Sequence, residues 1–348
     1  MEGKKEIKCV VWDLDNTIWD GILAESCAVR LKPGIKEIIE ALDSRGILHS
    51  ISSKNDYDMA MSKLEEFGLG DFFLYPEIHW NAKSYSLGQI QKNINIGMDS
   101  ILFIDDQEFE LEEVKNVHPS INCINSSQYR SLLDNPRLNP NFITVDSARR
   151  RKMYQDDYRR KQAESEYQGP SEAFLASLNM KFSICDAAEE DLERAEELTV
   201  RTNQLNATGK TFSYDELNML RQSENHKLLI CELEDRFGTY GKIGLALINM
   251  KEDHWRLEMM LMSCRVVSRG VGTVLLNHIM KEAKKNNKGL LADFRDTGRN
   301  RMMYVSFRFA GFREKSSGED GSCLLEHDLG NIQDFPEYIE VCINNKTI

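Results

Sequence analysis

The chain runs to 348 residues, about twice an ordinary domain, so two domains are expected and a disulfide miniprotein is excluded. Lys+Arg 44 against Asp+Glu 56 gives a net charge of −12, which speaks against nonspecific nucleic-acid binding, and 41% hydrophobic with 29% charged residues marks a globular chain rather than a disordered one. No apolar run reaches the roughly 18–20 residues that cross a bilayer, and Met1–Glu6 lead into a strand without a signal-peptide core, so the expectation is a cytoplasmic protein with no membrane association.

From Ile7 to about Ile124 short apolar runs alternate with amphipathic stretches: Ile7–Asp13, Gly34–Gly46, Ile47–Ser52, Asp56–Phe67, Tyr85–Asn93 and Ser100–Ile104. This rhythm predicts βαβ units and a doubly wound parallel sheet, whose ligands belong at the carboxyl ends of the strands. The first run ends in Asp13-Leu14-Asp15-Asn16-Thr17, two carboxylates where a strand stops. Such a pair suits phosphoryl transfer: one carboxylate attacks phosphorus, its neighbour moves a proton, and magnesium offsets the charge.

Later strand ends add matching groups. Ser52-Ser53-Lys54-Asn55 offers hydroxyl and amide donors for phosphate oxygens, Lys83 supplies a cation, and Asp105-Asp106 adds carboxylates for a metal. Surface Asp pairs acting as helix caps would not reproduce all four elements. The set resembles the haloacid dehalogenase (HAD) superfamily. That resemblance implies Asp13 as nucleophile, Asp15 as general acid/base and Ser53 as phosphate donor, with Asn55 beside it and Lys83 balancing charge. It also implies Mg2+ held by Asp13, Asp106 and the main chain at Asp15, with Asp105 contributing through water. The eight cysteines (Cys9, Cys27, Cys123, Cys185, Cys231, Cys264, Cys323, Cys342) form no C-x-x-C pair, which argues against a zinc knuckle or a disulfide framework, and Cys9 reads as core.

Between Asp146 and Gly169 a strongly charged helix is predicted, bounded by Asn135-Pro136, Asn139-Pro140 and Gly169-Pro170. Its basic run reads as a solvated face or as a dock for an acidic partner or a phosphate. The domains expected are therefore 1–145, a linker 146–174, 175–330, and a tail 331–348.

The second half reads as α+β: a helix over Glu189–Asn206, strands around Lys227–Glu234, Gly241–Lys251 and Trp255–Cys264, and a helix over Val271–Lys285. A strand at Leu290–Phe294, a helix at Arg299–Ala310 and a strand at Cys323–His327 follow. The run Cys264-Arg265-Val266-Val267-Ser268-Arg269-Gly270-Val271-Gly272 is a strand end, a glycine turn and a helix start, where main-chain N–H groups can hold phosphate. It resembles the GNAT family of N-acetyltransferases, although Val267 stands where that family carries Arg or Gln. The departure favours a phosphopantetheine arm over full coenzyme A. Cys264 either accepts an acyl group, with Arg265 and the helix start favouring thiolate, or is packing beside Met259, Met260 and Met262.

Both halves in this order, with Arg201-Thr202-Asn203-Gln204-Leu205-Asn206 and Met262-Ser263-Cys264-Arg265-Val266, resemble the FkbH-like family of polyketide biosynthesis. The resemblance implies an N-terminal HAD-like domain fused to a C-terminal GNAT-like domain. It also implies an enzyme that dephosphorylates 1,3-bisphosphoglycerate and loads a glyceryl group, through Cys264, onto the phosphopantetheine of an acyl carrier protein. Arg201, Thr202, Asn203, Gln204 and Asn206, with Arg265, Arg269, Gly270 and Gly272, are then candidates for binding substrate or pantetheine; capping by Asn203 or Asn206 is the other reading. His254 and His278 receive no role. Docking an acidic carrier onto an acidic chain needs a local basic patch, either Arg149, Arg150, Arg151 and Lys152 or Lys281, Lys284 and Lys285. Two alternatives stay open: a magnesium-dependent small-metabolite phosphatase fused to an acyl-CoA-dependent acyltransferase, and a noncatalytic carrier-binding scaffold.

Overall fold

In the computed structural model, which describes residues 6–26, 28–140 and 142–347, the run Cys9–Trp12 forms β1 with every side chain buried. The approach of Met1–Lys5 to that strand and the setting of Cys27 lie outside the described residues. There follow β2 (Trp19–Asp20), β3 (Arg30–Leu31), α1 (Ile35–Ser44), β4 (Leu48–Ser53), α2 (Tyr57–Glu66), β5 (Glu77–Ile78), α3 (Lys83–Ile94), β6 (Ile101–Asp105), α4 (Glu108–Val117) and β7 (Asn122–Asn125). Each helix has a local cause. In α1 the buried Ile35, Ile38, Ile39 and Leu42 recur at helical spacing, and α2 starts where Asp56 accepts a hydrogen bond from the Met59 amide at 2.9 Å.

Strands β5-β4-β1-β6-β7 pair in parallel in that order, the doubly wound sheet that the apolar rhythm predicts. Because the chain steps out from β1 to β4 and β5 and returns to β6 on the opposite side, the order reverses beside β1. A crevice therefore opens at the carboxyl ends of β1 and β6.

Two helices, α5 (Val145–Ala148) and α6 (Arg150–Glu166), replace the single charged helix expected there. The chain divides into two compact units, Met1–Tyr158 and Arg159–Ile348, so the boundary falls inside α6 rather than on either side of a free-standing linker. Ion pairs account for this. Arg151 holds Asp43 at 2.9 Å within the first unit, and Arg160 holds Asp235 at 2.7 Å within the second.

The second unit contains α7 (Ser171–Ser177), β8 (Met180–Asp186), α8 (Leu192–Arg201), α9 (Tyr214–Gln222), β9 (His226–Asp235), β10 (Gly238–Met250), β11 (His254–Met262), α10 (Val271–Lys285), β12 (Gly289–Arg295), α11 (Arg301–Phe309), β13 (Arg313–Ser317), β14 (Ser322–His327), β15 (Ile339–Ile343) and β16 (Lys346–Thr347). Its sheet runs β13-β14-β12-β11-β10-β9-β8-β15-β16. Alternate residues of β11 serve two cores. Leu257, Met260 and Met262 pack with Val274 and Leu275 of α10, whereas Met259 and Leu261 pack with Leu192, Ala195 and Leu198 of α8.

Three expectations need correction. The helix expected to reach Asn206 ends at Arg201, because the chain leaves it to pair with β11: the Met262 amide donates to the Leu205 carbonyl and the Ala207 amide to the Met260 carbonyl, both at 2.9 Å. The strand expected to reach Cys264 ends at Met262. Segment 331–348, expected as a tail, supplies β15, which pairs in parallel with β8 and buries Ile339, Val341 and Cys342. Among the described residues no helix is long and apolar enough to cross a membrane.

Candidate functional site

The first site sits in the crevice beside β1. The Asp13 amide extends the ladder by donating to the Ile104 carbonyl at 2.9 Å, which sets Asp13 next to the end of β6. Lys83, at the start of α3, reaches in with Nζ 2.8 Å from Asp13 Oδ1, in contact with Asp105 Oδ2 and 5.8 Å from the centroid of the Phe103 ring. Burial works against this ammonium, yet the carboxylates of Asp13 and Asp105 outweigh it and raise its pKa. Burial, reinforced by Asp13, pushes Asp105 up to about 6 against the pull of Lys83, and lifts Asp106 for the same reasons.

Oxygens of Asp13, Asp105 and Asp106 lie within 4.8 Å of one another. Asp106 Oδ1 is buried without a hydrogen-bond partner. Three converging carboxylates, one with an oxygen unused by the protein, fit a hard divalent cation such as Mg2+. The Asp15 carboxylate is not part of this group. It accepts from Trp19 Nε1 at 2.7 Å, the Leu23 amide at 3.0 Å and Asn55 Nδ2 at 3.0 Å, while burial raises its pKa against these bonds. A carboxyl so oriented and biased toward its acid form suits proton transfer.

Ser53 ends β4 and is buried, with its carbonyl accepting from the His79 amide at 3.0 Å. Asn55, expected to meet phosphate, is occupied otherwise. Its Nδ2 holds Asp15 and its Oδ1 accepts from the Asp56 amide at 3.2 Å, so it orients the acid. Lys54 pairs with Glu110 at 2.7 Å. Trp19 lies two residues past the run Asp13–Thr17, and nothing in the residue order assigns its indole to Asp15.

In the second unit, Cys264 opens a 3-10 turn (Cys264–Arg269) just past β11, where the Ser263 amide donates to the Ile243 carbonyl at 2.6 Å. Among the described cysteines it is the exposed one, whereas Cys9 and Cys231 are buried and their thiols pushed far up by burial. Gly270 precedes α10 at φ 76, and a Cβ there would stand 2.8 Å from the Tyr338 hydroxyl. Gly272 has ordinary space around it.

Several candidate binding residues are committed to the protein itself. Arg265 Nη2 donates to the Tyr240 carbonyl at 2.9 Å, and Arg269 is buried and faces Glu164 at 3.4 Å. Arg201 pairs with Glu197 at 3.4 Å. Asn206 Oδ1 accepts from the Thr208 and Gly209 amides and its Nδ2 donates to the Lys210 carbonyl, so Asn206 shapes the following turn and does not cap α8, which ends at Arg201. Thr202, Asn203 and Gln204 lie beyond the helix end, with Asn203 and Gln204 exposed. Four of the basic docking candidates are also engaged: Arg150 donates to the Gly46 carbonyl at 2.7 Å, Arg151 holds Asp43, Lys281 pairs with Asp334 at 3.2 Å and Lys285 with Glu282 at 3.9 Å.

No family model matches the chain. It is 26% identical over 136 residues to human magnesium-dependent phosphatase 1, spanning 34% of this chain and 76% of that protein. Among solved structures, the N-terminal part of BF1531 from Bacteroides fragilis, containing a phosphatase domain complexed with Mg, is 27% identical with a TM-score of 0.35. That match covers 40% of this chain and 41% of the other. The ribosomal-protein-S18-alanine N-acetyltransferase from Escherichia coli is 18% identical with a TM-score of 0.34, over 45% of this chain and 97% of the other.

Proposed function

We propose that the chain is a bifunctional phosphatase and glyceryltransferase. It takes 1,3-bisphosphoglycerate, removes phosphate, and passes the glyceryl group through a Cys264 thioester to the phosphopantetheine thiol of an acyl carrier protein in polyketide biosynthesis. The observation that carries this reading is the convergence of Asp13, Lys83, Asp105 and Asp106 in a chain that also exposes Cys264 past the end of β11. The similarity to magnesium-dependent phosphatase 1 supports the phosphatase half.

In this reading Asp13 attacks the phosphorus of the C3 ester while Asp15 gives its proton to the departing oxygen. Asp15 then takes a proton from the water that cleaves the aspartyl phosphate, releasing inorganic phosphate and restoring Asp13. Lys83 holds the Asp13 carboxylate in place, and Trp19, Leu23 and Asn55 fix the orientation of Asp15. Magnesium bound by Asp13, Asp105 and Asp106 would offset the charge of the phosphoryl group.

At the second site the Cys264 thiolate attacks the C1 carbonyl of the acyl phosphate and expels inorganic phosphate. The carrier thiolate then attacks the thioester carbonyl and frees Cys264. The pocket beside the start of α10, formed by residues such as Leu205, Met260, Met262, Val266 and Met303, has no charged residue in its lining. It suits the amide-and-methylene arm of pantetheine better than a nucleotide pyrophosphate, which favours a carrier-borne thiol over acyl-CoA. The test incubates the protein with 1,3-bisphosphoglycerate, Mg2+ and carrier protein, and weighs the carrier. Wild type should yield glyceryl carrier, Asp13→Asn phosphoglyceryl carrier, and Cys264→Ala unmodified carrier. Loading by Cys264→Ala would overturn the relay.

A further inference from the structure

Strands β11 and β12 pair in parallel only from His254↔Gly289 to Leu257↔Ala292. Where they part, the segment Leu205–Ala207 takes over. The Ala207 amide bonds the Met260 carbonyl at 2.9 Å, and the Arg295 amide bonds the Ala207 carbonyl at 3.0 Å. A groove of about 470 Å³ opens beyond it, between the 208–210 loop, the end of β12 and the β13–β14 turn. Thr208, Lys210, Arg256, Arg295, Ser316 and Ser322 are among its walls.

The charges in the groove do not cancel. Arg256 is neutralised by Asp293 at 2.9 Å. The Asp320 carboxylate accepts from Ser322 Oγ at 2.6 Å and the Ser322 amide at 3.2 Å, bonds that hold its pKa below the ordinary range, with Arg295 near enough to add to the effect. Among the described residues neither Lys210 nor Arg295 forms a salt bridge, so two cations face one carboxylate whose hydrogen bonds are internal.

The walls are also fixed in place. Buried Asn300 donates through Nδ2 to the Asn206 carbonyl at 2.8 Å and the Arg295 carbonyl at 2.9 Å, tying the cation-bearing loop to the end of β12. Asn206 holds the Thr208, Gly209 and Lys210 main chain around its own amide. A groove of this volume accommodates a small metabolite, and preset cations beside hydroxyls select an anion that carries hydroxyl groups.

We propose that this groove binds a small phosphorylated or carboxylated hydroxy acid, held by Lys210 and Arg295 with hydroxyl contacts from Thr208, Ser316 and Ser322. The assignment stands apart from the Asp13 cluster and from any acyl transfer at Cys264.

Cys323 lines the groove and is half-exposed, so it reports occupancy locally; Cys185, on β8, serves as the internal control. The full-length protein is alkylated with iodoacetamide in the presence of a chelator, with 3-phosphoglycerate or glycerol added, and the rate at each cysteine is read by peptide mass spectrometry. Saturating 3-phosphoglycerate should slow Cys323 about threefold or more and leave Cys185 unchanged, with no effect of glycerol. Lys210→Gln and Arg295→Gln should each raise the half-protecting concentration about tenfold, the loss of one charged hydrogen bond, with Cys185 labelling and circular dichroism unchanged. Unprotected Cys323, or protection equal in both variants and wild type, would overturn the proposal. Because the readout needs neither phosphate release nor an acyl adduct, its failure is separable from failure of the glyceryltransferase reading.

Discussion

Replacing Lys83 with Gln removes the ammonium that sits 2.8 Å from Asp13 and in contact with Asp105, and leaves both carboxylates buried. Breaking a buried ion pair from one side costs about 3–5 kcal/mol, chiefly through the charge left uncompensated. At pH 8 the Lys83→Gln variant should therefore unfold at markedly lower urea concentration than wild type, followed by the fluorescence of the buried Trp12 and Trp19. The pH dependence gives the sharper test. Asp105 titrates at about 6 in the folded protein, above its ordinary value, so acid favours the folded form as pH falls toward and below 6. Without Lys83 that uptake moves to higher pH, so the gap between variant and wild type should narrow steadily from pH 8 to pH 5. Mg2+ should narrow it as well, by supplying positive charge to the same carboxylates. A gap under about 1 kcal/mol, the size of an exposed pair, or one that stays constant with pH, would refute the reasoning.

Asp15→Asn should lower phosphate release by about 10²–10⁴-fold, the usual worth of a positioned acid or base, while Mg2+ affinity by calorimetry stays close to wild type because its carboxylate lies outside the metal group. His49, buried and accepting from Trp12 Nε1 at 3.1 Å, has its pKa pushed by burial down to about 3. The unfolded state then binds a proton that the folded state refuses, so its contribution is complete above about pH 6.5 and fades at about 1.4 kcal/mol per unit as pH falls. His49→Gln keeps an acceptor for Trp12 and should flatten the urea-denaturation slope between pH 6 and 4.5 by about one proton. Reversing the exposed Lys284 and Lys285 to Glu should slow carrier loading and leave phosphate release unchanged in a stopped-time assay of both products.

The phosphatase-like cleft was legible because each of its parts is local: an apolar strand, then a polar residue where the strand must end. The sheet supplies the rest by placing successive strand ends side by side. Lys83 and Asp105 needed no long-range knowledge to be found. What sequence spacing did not show was how the polar side chains would be spent. Asn55 and Asn206 have the composition of ligand-binding residues, yet one orients Asp15 and the other shapes a turn, since an amide serves the main chain as readily as a substrate. The charged α6 gives no periodic signal for which face is covered, so the pairing of Arg151 with Asp43 stayed hidden. Strand β15 follows an irregular stretch, 328–338, that has no strand alternation, and only its partner β8 reveals it as part of the sheet.

The most direct measurement is the intact mass of the protein itself after incubation with 1,3-bisphosphoglycerate and Mg2+ without carrier, followed by mapping of the modified peptide. The account predicts a glyceryl group, free of phosphate, in thioester linkage on Cys264 and missing from Cys264→Ala. An unmodified protein under conditions where phosphate is released, or an adduct on another cysteine, would contradict it.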